Sequence, residues 1–230
     1  MNGILFDNVT VKLVPESFAV TSTWKGGIAY DSPLVKAVHD YLKDIENPVL
    51  LDVGASVGSF ALLGVALPTL WVTAFEPNPV AARILGRNVQ LNGLEPRVKI
   101  LTCALWSEDG KATLTVPDDP IKAGLATIGQ AKRFTEGHKV TVEARKLDGI
   151  VGMEHVDFIK VDAEGAELFI LKGGERFIKA HRPVILAEYY KPNTMQFSYE
   201  PKAIKDLLTS WGYSGHKRGK EDLWMTYGRQ

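Results

Sequence analysis

Acidic residues close four apolar runs of this chain: Asp52 in VLLDV, Glu76 directly after WVTAF, Asp162 in VDFIKVD with Glu164 two residues on, and Glu188 in PVILAEY. The first run continues as GASVGSF, where Gly54 and Gly58 flank Ala55, Ser56 and Val57. Glycines between a strand and a helix let backbone approach a ligand closely, and the helix start presents free N–H groups. Three readings fit such a stretch: a dinucleotide site, a site for S-adenosylmethionine (SAM), or a tight turn and nothing more. The dinucleotide pattern G-x-G-x-x-G needs a middle glycine that is missing here. Asp52, directly before the first small-residue turn, sets a negative charge beside any pyrophosphate and suits a ligand with an ammonium and a sulfonium.

Glu76 lies about twenty residues past Gly54, where a carboxylate accepts hydrogen bonds from ribose hydroxyls. It supports an adenosine ligand without choosing between NAD and SAM. The choice comes from FIKVDAEGAEL (158–168), which gathers Lys160, Asp162, Glu164 and Glu167 around one strand end. Glu188 adds a further acid. Open α/β sheets bind ligands at the carboxyl ends of their strands, so these acids share one cleft with Asp52 and Glu76. Such a cleft repels pyrophosphate and favours a cation or a metal. Asp162, Glu164 and Glu188 are the candidate catalytic groups, either as general base or as ligands of a divalent cation. The residues leave base and metal both open.

The elements that must position these groups follow from periodicity. Residues 4–20 alternate in short β-like runs, among them FAV, broken by Pro15 and ending near Gly26-Gly27. Ser32-Pro33 reads as the cap and first position of a helix that Asn47-Pro48 stops. VLLDV (49–53) is an apolar run of the kind a buried parallel strand shows. A helix over 59–67, strand 71–75, a helix over 79–92 ended by Gly93, and strand 97–104 follow. Runs 112–116 and 139–145 read as added strands around a polar loop, 117–138. The alternation resumes with strand 156–162, a helix from Ala166 to Lys172, a further short helix, strand 183–189 and a helix over 201–211. YSGHK and DLWMTYG then read as a terminal hairpin. This order predicts an α/β fold, a mainly parallel sheet with helices on both faces and an antiparallel hairpin at its end. Residues 1–30 are expected to form a β-rich cap and 31–230 the main domain, within one globular unit.

The chain has 27 basic and 27 acidic side chains, so the basic excess of a general nucleic-acid binder is absent. One cysteine, Cys103, excludes an intrachain disulfide and an all-cysteine metal site. With no signal-peptide pattern and no apolar run near the length of a membrane span, a reducing, cytoplasmic setting is expected.

DVGASVGSF, FEPNP, CALWSEDGKATL, KLDGI, IKVDAEGAELFILKGG and RPVILAEYY, in this order, resemble the FkbM family of SAM-dependent methyltransferases. The likeness runs from about Tyr30 to Tyr190. The family usually has Asn where this chain has Ser56, and commonly Val where it has Ala163. The resemblance implies the class I methyltransferase (Rossmann-like) fold with a seven-stranded sheet. It implies methylation of a hydroxyl oxygen, often on a sugar, glycan or glycosylated natural product. By the same likeness Gly54, Ser56 and Gly58 line the methionine part of SAM, with Asp52, Ser59 and Phe60 beside them. Glu76 holds the ribose with Pro77 and Asn78 near it; Cys103, Ala104 and Leu105 border the adenine; Asp162 lies near the methionine amine or the reacting methyl.

Other residues carry weaker readings. Loop 117–138, with Lys132, Arg133 and Phe134, has the length and composition of a substrate lid. Tyr30 and Asp31 either close over SAM or cap the first helix. Trp106 either stacks on adenine or fills core, and Phe18 and Trp24 would suit a wall facing a sugar. The five histidines and the run GHKRGK read as solvent-facing or as helix and turn residues. Two functions compete with the methyltransferase: an NAD(P)-dependent oxidoreductase, and a non-catalytic SAM-binding module of a larger glycan-modifying protein.

Overall fold

The computed structural model describes residues 1–19, 24–129, 134–150, 155–219 and 221–228, the side chains of residues 18, 19, 120, 121 and 123 excepted. At the N-terminus β1 (Asn2–Phe6), β2 (Val9–Lys12), β3 (Trp24–Lys25) and β4 (Ile28–Ala29) form a small sheet in the order β2-β1-β4-β3. Pro15–Ala19 between them is a 3₁₀ turn and not the expected β-like run through Phe18. Pro15 fixes φ in a helix-compatible value, and a run this short has no strand to pair with. Leu5, Val11, Leu13 and Trp24 of this segment are buried in the same core as the helices that follow, so the cap is packed into the domain.

Helix α1 (Ser32–Leu42) starts with Pro33 in its first turn. The central sheet then assembles from β5 (Val49–Val53), β6 (Trp71–Phe75), β7 (Val98–Leu101), β11 (Phe158–Val161), β12 (Val184–Glu188), β13 (Tyr213–Arg218) and β14 (Asp222–Tyr227), in the order β13-β14-β12-β11-β5-β6-β7. Neighbours from β12 to β7 run parallel; β14 is antiparallel to both β12 and β13. This is the α/β, seven-stranded class I methyltransferase architecture with its terminal hairpin. A second sheet, β8 (Ala104–Leu105), β9 (Gly110–Pro117) and β10 (Gly137–Arg145), sits at the side in the order β8-β10-β9.

Side-chain alternation divides the core. Leu50, Val72, Ala74, Phe158 and Leu186 face one side, where α1, α2 (Pro79–Leu91) and the N-terminal sheet cover them. Leu51, Phe75, Ile159, Ile185 and Met225 face the other, under α3 (Glu167–Gly173), α4 (Glu175–His181) and α6 (Lys202–Ser210). A short helix, α5 (Lys191–Thr194), follows β12. Among the described residues no helix is long and apolar enough to cross a membrane.

Two elements differ from the sequence reading. The helix expected over 59–67 is a 3₁₀ turn, Ala61–Val65. Gly64 weakens α-helical continuation and Pro68 stops the segment, so packing alone shapes it. The strand expected over 97–104 ends at Leu101, and Ala104 then pairs with Ala144 of the side sheet. The chain therefore changes sheets at Thr102-Cys103, just where it passes the cleft.

Candidate functional site

The turn after β5 is pinned to β6, because the N–H groups of Gly54 and Ala55 both donate to the Phe75 carbonyl, at 3.0 and 3.1 Å. Gly54 has φ 73°. A Cβ there would collide with the Asp162 carbonyl oxygen, so only glycine lets β5 and β11 end this close together. Ser56 also has a left-handed backbone, φ 51°, a conformation that Asn tolerates better than Ser. That turn aims the Ser56 N–H at Glu76 Oε2, 2.7 Å away, while the Asn78 N–H donates to Oε1 at 2.8 Å. Glu76 is buried, and burial pushes its pKa up to about 7 against the pull of these two bonds. A carboxylate offers about four lone-pair sites, so each oxygen keeps one for a ligand.

A cleft of about 520 Å³ opens over these strand ends. Of the residues expected at a cofactor, Gly54, Ser56, Ser59, Phe60, Glu76, Pro77, Ala104, Leu105 and Asp162 line it, together with Cys103. Ser59 lines it too, but its hydroxyl is buried beneath the surface without a hydrogen-bond partner. The expected catalytic acids Asp162, Glu164 and Glu188 line the same cleft.

Asp52, Gly58 and Asn78 do not reach it. Asp52 is fully buried, because alternation turns it inward beneath the turn and not toward the ligand. Its partner in register on β11 is Lys160, whose Nζ lies 3.6 Å from Asp52 Oδ1. The same ammonium donates to the Gly54 carbonyl at 2.9 Å and lies 3.6 Å from Asp162 Oδ2. Burial works against the Lys160 charge, but Asp162, Asp52, Asp31 and Glu76 outweigh it and hold its pKa above the ordinary value. Gly58 has φ 107° and packs against Leu85. Asn78 caps α2, its Oδ1 accepting from the Val80 N–H at 3.0 Å.

The acids at the ends of β11 and β12 are organised by groups the sequence did not single out. Glu167 is fully buried and one of its oxygens accepts from the Ala163 N–H (2.8 Å) and Gly165 N–H (3.2 Å), while the other lies 3.3 Å from the Tyr199 hydroxyl, whose proton goes to the Gly165 carbonyl at 2.8 Å. Burial pushes its pKa up to about 7. Asn193, buried on α5, donates its amide to Glu164 Oε2 at 2.8 Å and to both Glu188 oxygens at 2.9 Å. Burial first, then Asp162, Glu167 and Glu164, drive the Glu188 pKa well above the carboxylate range. Oxygens of Asp162, Glu167 and Glu188 lie within 4.8 Å of one another, so the acid triad that could face a metal contains Glu167 where Glu164 was expected. The helical turn at α3 explains this: Glu164, with φ 54°, points toward α5, whereas Glu167 folds back under its own turn. Nothing in the local sequence marks Asn193, which lies beyond the β12 motif.

Of loop 117–138, Thr127 folds back to bridge Thr115 of β9, and Lys122, Gly124, Leu125, Ala126 and Ile128 line the cleft. Lys132 and Arg133 lie outside the described residues, as does the Phe18 side chain. Tyr30 and Asp31 line the opposite rim; Asp31 is the N-cap of α1 through its carbonyl, and its side chain makes no capping bond. Trp24 is core and no wall of the cleft. Trp106 stacks on Phe169 with ring centroids 4.5 Å apart, also away from the cleft. His39 and His181 lean on Phe6 and Phe177, His138 and His155 pair with Asp118 and Asp157, and His216 is exposed on β13. The run from Gly215 forms the end of β13 and its turn, with Lys220 outside the described residues.

A family model described as the methyltransferase FkbM domain matches residues 52–214. Methyltransferase sdnD of Sordaria araneosa is 34% identical over 156 residues, covering 55% of this chain and 60% of that protein. The 2-O-methyltransferase NoeI of Sinorhizobium fredii is 27% identical over 180 residues, 72% of each chain. The match thus spans less than two thirds of sdnD. In fold, the chain is similar to the crystal structure of methyltransferase FkbM from Methylobacillus flagellatus KT, with TM-score 0.51 and 22% identity, covering 81% of this chain and 45% of that one.

Proposed function

The chain belongs to the FkbM methyltransferase domain family, and on that premise we propose that it is a SAM-dependent O-methyltransferase acting on a hydroxyl of a sugar, glycan or glycosylated natural product. The observation that carries the cofactor half is Glu76, held by two backbone N–H groups with one lone pair per oxygen left for a vicinal diol such as a ribose. Gly54, Ser56 and Phe60 would flank the methionine part, and Ala104 and Leu105 the adenine. The family and the acids at the strand ends speak against the oxidoreductase alternative, since nothing there would favour a pyrophosphate.

SAM supplies an electrophilic methyl on a sulfonium, ready for in-line displacement. The chain's work is alignment and removal of the acceptor's proton. Glu188 is the proposed base: its raised proton affinity suits abstraction from an alcohol near neutral pH, and Asn193 orients both of its oxygens. Asp162 and Glu164 flank it in the cleft. A base is favoured over a metal because Glu167, the third carboxylate of the triad, is held under its own turn by the Ala163 and Gly165 N–H groups, both on one oxygen. An oxygen acceptor is supported by the name of NoeI, a 2-O-methyltransferase. The net-neutral chain and acidic cleft support a small acceptor and no nucleic acid.

Calorimetry with SAM and S-adenosylhomocysteine tests the reading. Sub-millimolar binding of both is expected, and absence of both would end it. Binding with no turnover over a broad glycoside panel would favour the non-catalytic alternative. Methylation that survives a chelator is expected of a base; activity restored only by a divalent ion would transfer the role to a metal.

A further inference from the structure

In-line displacement fixes where the body of the acceptor goes. With SAM over β5, β6 and the turn after β7, and the base Glu188 at the end of β12, the reacting hydroxyl stands between them. The rest of the acceptor must then project away from the cofactor, along the carboxyl edge of the sheet toward β14 and β13. Because β14 is antiparallel to both of its neighbours, β13 runs parallel to β12 and ends at that same edge. The register sets Glu188, Asp222 and Arg218 level across the three strands.

A second cavity, of about 380 Å³, opens just there. Tyr190 lines both this cavity and the catalytic cleft, so its side chain forms a wall between them. It has extended backbone, φ −103° and ψ 114°, two residues past Glu188. Alternation keeps Glu188 and Tyr190 on the cleft side and turns Tyr189 to the outer cavity, which it lines without lining the cleft. Both tyrosines are half-buried, and Pro192 beside them is exposed. The Lys217 ammonium lies 4.7 Å from the centre of the Tyr189 ring, which holds a donor at the cavity. Lys191 and Glu200 form a 2.8 Å ion pair on the same lining, with both side chains exposed. Such a pair is worth little to the fold and can exchange its bonds for ligand hydroxyls. Apolar ring faces with a few polar groups among them suit the two kinds of surface that a pyranose presents, its C–H faces and its hydroxyls.

We propose that the outer cavity is a distal acceptor subsite, which holds the sugar unit next to the one being methylated, with Tyr190 as the ridge that the glycosidic bond crosses. The acceptor is then a disaccharide, an oligosaccharide or a glycoside with a second ring, and not a free monosaccharide. From β12 to β13 is two strand spacings, about 10 Å, a reach that calls for a second ring beyond the one seated at Glu188. The inference rests on the methyltransferase reading and narrows its acceptor.

The test pairs monosaccharides with disaccharides: glucose with cellobiose, galactose with lactose, and N-acetylglucosamine with chitobiose. Saturation-transfer NMR and calorimetry on the full chain, with S-adenosylhomocysteine bound, read the affinities. In at least one pair the disaccharide is expected to bind at least about tenfold more tightly, a difference near 1.4 kcal/mol. Saturation should reach the protons of both of its rings. Tyr189→Ala and Lys217→Ala change side chains that line the outer cavity and not the cleft, and each should reduce the gain several-fold. Lys217 is exposed on β13, so its variant gives an answer even if Tyr189→Ala folds poorly. Equal affinity in every pair, a gain that both variants keep, or binding of no saccharide beside bound S-adenosylhomocysteine would overturn the proposal. So would a loss in the variants that falls equally on S-adenosylhomocysteine, because the outer cavity would then act through the cofactor. Failure of S-adenosylhomocysteine to bind would instead defeat the broader functional reading, whatever the sugar pairs show.

Discussion

Replacing Lys160 with Met tests the electrostatic keystone beneath the cleft. The side chain of Lys160 is 8% exposed and that of Asp52 not at all, and the two carry opposite charges 3.6 Å apart. At an effective dielectric of about 20, that pair is worth about 5 kcal/mol of Coulomb attraction before desolvation is counted. Beyond Lys160, Asp52 has only the Ala61 N–H, outside good hydrogen-bond geometry, to fall back on, whereas Lys160 also has the Gly54 carbonyl and Asp162. The two single variants should therefore be unequal. Lys160→Met strands a buried carboxylate and should cost about 3–5 kcal/mol. Asp52→Asn leaves the ammonium with two acceptors and should cost roughly 1–2 kcal/mol, as the loss of a charge-assisted contact. The double variant should be more stable than Lys160→Met alone. The pH sign follows from linkage. With Lys160 gone, the folded pKa of Asp52 rises further above its unfolded value near 4, so the folded state binds the extra proton. The Lys160→Met deficit is then smallest at low pH and grows as pH rises through that interval. Urea unfolding of the four proteins at about pH 5 and pH 8 measures all of this. A Lys160→Met loss below about 1 kcal/mol, or one equal to that of Asp52→Asn and flat with pH, would refute the reasoning.

Three further outcomes are expected. Glu188→Gln should lower methylation roughly 10²–10⁴-fold. Its stability should be unchanged or higher, because a half-buried carboxylate among Asp162, Glu164 and Glu167 is lost; steady-state kinetics beside thermal melts separate the two effects. Gly54→Ala forces a Cβ into the Asp162 carbonyl at φ 73° and should cost about 3 kcal/mol or more with loss of SAM affinity, read by calorimetry and melting. Because burial raises Glu76, Glu167 and Asp222 to about 7 and Asp31 to about 6, the ligand-free fold binds more protons than the unfolded chain between about pH 4 and 7. Stability should fall across that window and level off above it, and a melting temperature that rises steadily from pH 5 to 8 would contradict these assignments.

The alternating apolar runs and the glycines of the first turn were enough to place the strands, their order of parallel elements and the terminal hairpin, because period and turn chemistry are local properties. The strand-end acids were legible for the same reason: a residue that closes a parallel strand must stand at the sheet's carboxyl edge. What locality could not supply was direction. Asp52 and Glu76 both end strands, yet Asp52 turns inward to pair with Lys160 across β11, and Glu76 stays on the cleft with two N–H donors. The partner of Asp52 is more than a hundred residues away in the chain, and only the parallel register sets them opposite. Similarly, Glu164 and Glu167 share one short motif, but Asn193 on α5 draws the first outward while backbone N–H groups fold the second under its own turn. Asp31 and Asp222, nearly the length of the chain apart, meet at one rim because α1 and the terminal hairpin flank the same sheet edge. Periodicity determined which residues could reach the cleft; register, close backbone approach at Gly54 and the burial of charge decided which of them do.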